Sequence, residues 1–310
     1  MKIFVAGATG VVGRRLVPLL IDNGSEVTAV ARSRAKAAQL RKQGAKPVTV
    51  DLFDPPAVEE AVMGHDTVIN IATRIPSGMK ALLPGAFNEN ARIRTEASQN
   101  LASAAIAARA QRFIQESFAP AYPDRGDEWI DESVPIEPSS YIESVRDAES
   151  AADEFTRSGG AGVVLRFSLF YGPDSSLTRD LVKAVKGGIA PVFGGPDAWM
   201  SSLWTDDAAS AVLAAFRVPA GVYNVTDDEP MRRGEAFRLL ASALDAKPPR
   251  IPPRWLTRAT GSLGDTLGRS LRLSNAKFRQ ASGWVPTVPG VRAGWKVLLG
   301  EMKSAGLLPA

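Results

Sequence analysis

The sequence predicts an α/β fold, a parallel sheet wound on both faces by helices, followed by a smaller C-terminal substrate domain. Three observations predict it. Short β-rich apolar runs alternate with longer helical patterns through the first half of the 310 residues, the order that repeated βαβ units produce. A glycine-rich turn, Gly7-Ala8-Thr9-Gly10-Val11-Val12-Gly13, stands between the first strand and the first helix. The rhythm then changes after Phe170, where Gly and Pro become dense. Right-handed crossovers between such units make a Rossmann-type, doubly wound sheet.

The strand patterns fall at 3–6, 27–31, 47–50, 67–71, 112–115 and 162–167, with helical patterns at 14–23, 34–43, 57–62, 90–110 and 141–157. Beyond them lie a Gly/Pro-rich stretch at 187–196 and the prolines Pro248, Pro249, Pro252 and Pro253. Val222-Tyr223-Asn224-Val225 reads as a strand that returns to the first sheet, and Ser202-Leu203-Trp204 leads into a helix capped by Asp206. The expected division is a cofactor domain over 1–170, a returning segment near 202–226, and a mainly substrate-binding region over 171–310.

Composition narrows the chemistry. Without cysteine there are no disulfides, thiolate metal sites or cysteine nucleophiles, which suits a cytoplasmic protein. The single histidine, His65, leaves a zinc site short of ligands, so no metal is expected. Lys and Arg outnumber Asp and Glu by only 37 to 33, spread along the chain, so nucleic acid is not an expected partner. No stretch approaches the roughly 20 apolar residues of a membrane span, and the first residues run straight into the glycine turn, leaving no room for a signal peptide. The expected partner is a small-molecule substrate, with a homodimer left open.

Glycines after a first strand permit a tight turn, close approach of a pyrophosphate to the backbone and close helix packing, while the helix N-terminus favours the negative charge. Gly7, Thr9, Gly10, Val11, Val12 and Gly13 are therefore the expected phosphate loop. A carboxylate ending the second strand would hold ribose hydroxyls and repel a 2′-phosphate. None is present. Arg32, Ser33 and Arg34 offer two guanidiniums and a hydroxyl instead, so NADP(H) is expected over NAD. Asp51 and Leu52 follow the third strand, where the adenine edge lies. Ile71, Ala72 and Thr73 follow the fourth, under the nicotinamide side.

With those residues in place the chain resembles the short-chain dehydrogenase/reductase superfamily, in its extended and atypical NAD(P)-dependent epimerase/dehydratase-like branch. The likeness spans nearly the whole chain: the glycine turn, Arg166 with Phe170-Tyr171-Gly172-Pro173, Trp204-Thr205-Asp206-Asp207-Ala208, Gly221-Val222-Tyr223-Asn224-Val225 and Gly283-Trp284-Val285-Pro286. It adds Phe170 to the expected cofactor residues. The resemblance implies catalysis by a tyrosine, a lysine four residues later and a hydroxyl after the fifth strand. The tyrosine moves the carbonyl proton, the lysine lowers its pKa and the hydroxyl holds the oxygen. Tyr141 matches the tyrosine, but Val145 stands at the lysine position and Phe118 at the hydroxyl position. Arg146 is a fifth residue on and points about 140° away on a helix. Ser117, one residue early, could reach the site through a bulge. Tyr141 and Ser117 are the catalytic candidates, with Tyr141 as a pocket wall the other reading.

His65 lies in a turn away from the cofactor edge and reads as a surface residue. The acidic loop Asp124, Asp127, Glu128, Asp131 and Glu132 reads as a solvated lid, with general-acid work by Asp124 or Glu128 the minority reading. By the resembled topology, Phe87, Tyr122, Trp199 and Trp204 line the substrate cleft. Their aromatic character favours a flat or apolar substrate over a nucleotide sugar, whose diphosphate would want arginines. Arg179, Lys183 and Lys186 share a helix face that reads as solvated. The expected function is an NADP-dependent oxidoreductase passing hydride to or from a small aromatic or polyketide-like carbonyl or hydroxyl compound. Two alternatives stand: non-redox dehydration, epimerisation or cyclisation on the same scaffold, and an NADP(H)-sensing module without turnover.

Overall fold

The computed structural model describes residues 1–76, 81, 83, 85–190, 194–251 and 261–308. Pro252 and Pro253 of the proline cluster lie outside them. Seven parallel strands form the central sheet: β1 Lys2–Ala6, β2 Glu26–Val30, β3 Lys46–Val48, β4 Thr67–Asn70, β5 Arg112–Phe118, β6 Ala161–Phe167 and β7 Gly221–Val225. Their order across the sheet is β7-β6-β5-β4-β1-β2-β3, so the strand order reverses between β1 and β4. Parallel strands covered on both faces read as continuous apolar runs, and Ile3, Phe4, Val5 and Ala6 are all fully buried.

On one face β1 and β5 pack against α1 (Gly13–Asp22) and the later helix α8 (Thr205–Ala214), through Leu16, Val17, Leu20, Ala208 and Val212. On the other face lie α3 (Pro55–Val62), α5 (Ser98–Ala107) and α6 (Val145–Arg157), packed through Val58, Leu101, Ala105 and Phe155. Local chemistry sets the helix starts. Ser33 accepts from Lys36 N to cap α2 (Arg34–Lys42). Asp54 caps α3, with prolines at its first positions, where their missing N–H costs nothing.

Three expectations change. The long helix expected at 90–110 is α4 (Asn88–Arg92), a π-helical turn (Ile93–Ala97) and α5. The helix expected from 141 begins at Val145, because Tyr141 lies in a tight turn, Ser140–Ile142, closed by Ile142 N on Ser139 O at 2.9 Å. Asp206 does not cap α8: its carboxylate accepts from Arg15 Nε at 3.0 Å, and Trp204 at the N-cap makes no side-chain bond. The neighbouring Asp207, 1% exposed, accepts from Thr287 N, Thr287 Oγ1 and Val288 N.

A second core follows the sheet. Tyr171, Trp204, Phe237, Leu240, Trp295 and Leu298 pack between α7 (Ser176–Lys186) and the helices Arg233–Ala243 and Val291–Ser304. The returning segment joins the first unit: β7 pairs with β6 from Gly221 opposite Val163 to Val225 opposite Phe167. Phe278 and Trp284, from the closing part of the chain, are also buried in the first core. Trp284 donates from Nε1 to Ser210 Oγ on α8 at 2.9 Å.

That placement makes Trp284 a fastener between the closing segment and the first core. Trp284→Ala should destabilise the protein by about 3–5 kcal/mol. Chemical denaturation checks it, with an unchanged midpoint showing that the closing segment contributes nothing to the first unit.

Candidate active site

The carboxyl ends of the strands converge where the order reverses, and ligands of such sheets bind there. The glycine turn sits at that point. Gly7 has φ +88°, and a Cβ on it would lie 2.5 Å from the Ile71 carbonyl carbon, so only glycine lets this turn cross β4's end. Gly10 donates its N–H to Gly7 O at 3.0 Å. A Cβ at Gly10 would meet only that same oxygen, at 3.2 Å, leaving the exposed side of the turn open at the N-terminus of α1. Gly13 packs against Ala8. A backbone cradle open at a helix N-terminus fits a dinucleotide's pyrophosphate.

Around it, Thr9 and Val11 are half-buried and Val12 is buried. Asn70 donates to Ser98 Oγ at 3.1 Å and Gln115 Oε1 at 2.9 Å, and accepts from Ala72 N, which holds the Ile71-Ala72 turn in place. Asp51 accepts from Phe53 N, Leu52 O accepts from Asn100 Nδ2, and Arg92 covers the Phe53 ring at 3.8 Å. Thr73 is exposed, and Phe170 packs on Phe167 at 5.3 Å between centroids.

Arg32 is 70% exposed, with Arg34 and Ser33 beside it at the start of α2. Two residues here escape the sequence reading. Glu89, from α4, lies 3.9 Å from Arg32 Nη1 and accepts from Arg74 Nη1 at 2.8 Å. The basic edge is thus larger than expected and carries its own carboxylate. Separation along the chain hid this grouping.

Tyr141 and Phe87 meet edge to face at 4.8 Å and wall a cavity of about 480 Å³ with Asn88, Ala91, Ser140 and Ser262. No charged side chain lines it among the described residues. Burial pushes the Tyr141 phenol above its ordinary pKa, with Arg94 and Arg269 opposing. Val145 is fully buried beside Ala121 and Ile142, so nothing cationic occupies the lysine position.

The other candidates go elsewhere. Ser117 is 0% exposed and donates to Glu149 Oε1 at 2.6 Å, inside an ion pair with Arg166; the sheet turns it towards α6, away from the cavity. Tyr122 is likewise 0% exposed. It donates to Asn224 Oδ1 and accepts from Arg166 Nη1, and burial, only partly offset by Arg166, raises its pKa to about 12. Trp204 is buried against Tyr171 in the second core. Trp199 lies between Arg232 and Arg272, donates to Asp127 and does not line the Tyr141 cavity. Of the four expected substrate aromatics, only Phe87 stands at the cavity.

His65 is half-buried rather than superficial, bonded to Val62 O and Thr28 Oγ1. The acidic loop is committed structurally: Asp124 accepts from Gly126 N, Asp127 pairs with Arg232, Glu128 with Arg125, Asp131 holds Ser133, and Glu132 accepts from Asn224 N. Lys183 and Lys186 are exposed, and Arg179 is half-buried and donates to Pro173 O. Among the described residues no cluster of three or more His, Asp or Glu could hold a metal ion, and no helix is long and apolar enough to cross a membrane.

The NAD dependent epimerase/dehydratase family matches residues 3–226. The chain is 33% identical to a 3-diazoavenalumate denitrifying reductase of a Streptomyces species, over 95% of this chain and 99% of that one. It is 27% identical to a 2-alkyl-3-oxoalkanoate reductase of Shewanella oneidensis, over 86% and 73%. Its fold is similar to that of DesIV, a dTDP-glucose 4,6-dehydratase of Streptomyces venezuelae solved with NAD bound, at a TM-score of 0.79 and 20% identity over 100% and 99% of the two chains. With the glycine cradle, the seven-stranded sheet and reductases among its relatives, the chain belongs to the NAD dependent epimerase/dehydratase family and is an NAD(P)-dependent oxidoreductase.

Proposed function

We propose that the protein is an NADP(H)-dependent reductase of a small, uncharged aromatic or polyketide-like carbonyl compound, with Tyr141 giving the proton to the carbonyl oxygen. The observation that carries this reading is the cavity walled by Tyr141 and Phe87, which no charged side chain lines among the described residues. A nucleoside diphosphate would need cationic partners there, whereas a flat apolar substrate is held by aromatic faces. Relatives named as reductases of an oxoalkanoate and of a diazo compound agree with a small carbonyl or aromatic reactive group, although both named compounds are carboxylates.

The turn at Gly7, Gly10 and Gly13 would hold a pyrophosphate, and Arg32, Arg34 and Arg74 would meet a 2′-phosphate at the basic edge. A nicotinamide bound there supplies the hydride. Hydride addition at a carbonyl carbon leaves charge on the oxygen, and the Tyr141 hydroxyl is the group that neutralises it. Burial raises the phenol's pKa, so the protonated, donating form persists from neutral into alkaline pH. Reduction uses that form and holds its rate as pH rises through 9. Alcohol oxidation needs the phenolate and is the slower direction.

A second reading comes from the absent hydroxyl and lysine, Phe118 and Val145. An arenediazonium carbon that takes hydride releases dinitrogen and needs no proton at oxygen. On that substrate Tyr141 serves only as an aromatic wall.

Anaerobic mixing of protein and NADPH with acetophenone, 1-phenyl-1,2-propanedione, ethyl 2-methylacetoacetate and an arenediazonium salt, followed at the nicotinamide absorbance band, separates the readings. Tyr141→Phe should lower carbonyl turnover by about a hundredfold or more and leave diazonium turnover intact; full carbonyl turnover in that variant removes Tyr141 from proton transfer.

For the cofactor, NADPH should bind more tightly than NADH, with the order reversed in Arg32→Glu. Glu89→Gln frees Arg74 and should tighten NADPH by about two- to fivefold. Gly10→Val should abolish binding of both while melting normally. Calorimetric titration checks all three, and equal affinities of the parent for NADPH and NADH would defeat the assignment of the basic edge.

A further inference from the structure

Arg94 is 2% exposed, one of the largest fully buried side chains, and it stands in the π-helical turn between α4 and α5. Such turns interrupt a helix where a side chain must be re-aimed, often at functional sites. Its Nη2 donates to Glu116 Oε1 at 2.8 Å, but Arg94 Nε and Glu116 Oε2 are buried without hydrogen-bond partners. A half-satisfied buried pair of this kind is costly to keep, and packing alone gives no reason to keep it.

Its surroundings supply one. Along β5, Gln115 and Ser117 turn towards α5 and α6, where they meet Asn70 and Glu149, so Glu116 turns to the opposite face. Arg94 therefore reaches over the carboxyl edge of the sheet to meet it. Its guanidinium carbon lies 5.7 Å from the centroid of Phe118, the ring at the missing hydroxyl's position. Phe118 and Tyr141 pack on one cluster, Ala121, Ile142 and Val145. The cation thus stands beside the ring that replaced the expected hydroxyl, and that ring packs on the cluster shared by Tyr141 and Val145.

We propose that Arg94 is the cation that stabilises the Tyr141 phenolate as the proton leaves, a positioning residue that takes over, from the turn between α4 and α5, the duty left open at Val145. The inference rests on Tyr141 being the proton donor. Among the described residues, the charged groups that act on the phenol are Arg94 and Arg269. Arg269 is committed to the Tyr122 and Glu137 carbonyls and to Asp265. Glu143 and Arg146, beside Tyr141 in the chain, are exposed, and Glu89 on α4 pairs with Arg74. Among the described residues, Arg94 is the cation acting on the phenol that is held by a single carboxylate.

The test needs no substrate. Tyrosines are replaced by 3,5-difluorotyrosine, whose phenol ionises far more readily, and each fluorine resonance is titrated, with the Tyr141 signal assigned by Tyr141→Phe. Arg94→Met should move that midpoint up by about one pH unit or more. Arg94→Lys should stay with the parent, and Arg94→Met with Val145→Lys should bring the midpoint back. If Glu116, left charged and buried, prevents Arg94→Met from folding, Arg94→Met with Glu116→Gln reads the same shift. With the carbonyl that the parent reduces, Arg94→Met should lower kcat about tenfold at unchanged KM, and add nothing in a Tyr141→Phe background. An unchanged phenol midpoint in Arg94→Met overturns the proposal, whereas full turnover in Tyr141→Phe overturns the donor reading alone.

Discussion

The ion pair between Arg166 and Glu149 is the constraint on which the rest of the site depends. Their side chains are 8% and 13% exposed, and two bonds, at 2.8 and 2.7 Å, join the guanidinium to the carboxylate. Removing either partner would leave a buried charge alone, at a cost of about 3–5 kcal/mol. The pair satisfies itself by recruiting neighbours. Ser117 donates to Glu149, Tyr122 accepts from Arg166, and Asn224 accepts from Tyr122. β5, β6, β7 and α6 are locked together through these groups, and the hydroxyls of Ser117 and Tyr122 are spent in doing so.

Tyr141 is left with different company. Phe87 lies on one side, and the cluster that includes Val145 on the other. Along the same edge of the sheet, charge and apolar surface are segregated. Arg32, Arg74 and Glu89 form an exposed polar end near α2, and the Tyr141 cavity forms an end that no charged side chain lines among the described residues. A ligand spanning the edge would need anionic groups at one end and an apolar group at the other, which agrees with the proposed cofactor and substrate.

How far these features were legible in the sequence follows from the range of the interactions that make them. The sheet and the glycine turn are written locally, in apolar runs and in glycines whose backbone must pass Ile71, so both could be read from the chain. The aromatic cleft was not, because aromatic type says nothing of which core a ring enters: Tyr122 and Trp204 are buried in other clusters, and Trp199 is held between arginines. Ser117 was misplaced for a related reason. Its partner, Glu149, is 32 residues away, and alternation along β5 sends the hydroxyl to α6 without a bulge. Arg74, Glu89 and Arg94 carried no local signal, since each acquires meaning only through a partner brought by folding.

The π-helical turn shows what such a partner can do to chemistry. In an unbroken helix, side chains one turn apart stack on one face, and the interior-facing positions between Asn90 and Ala97 would carry small or apolar residues. Widening the turn lets a full guanidinium enter the carboxyl edge while α5 continues with Leu101, Ala102 and Ala105 still facing the sheet. The cation comes from the turn that packs beside α6 on the same face of the sheet, so α6 can present the apolar Val145 where a buried ammonium would otherwise need its own partners. In the proposed reduction Tyr141 loses a proton only at the moment of hydride transfer. A fixed charge behind an apolar ring is weaker than a direct contact and leaves the resting phenol protonated. On the proposed roles of Tyr141 and Arg94, the arrangement favours giving a proton over taking one.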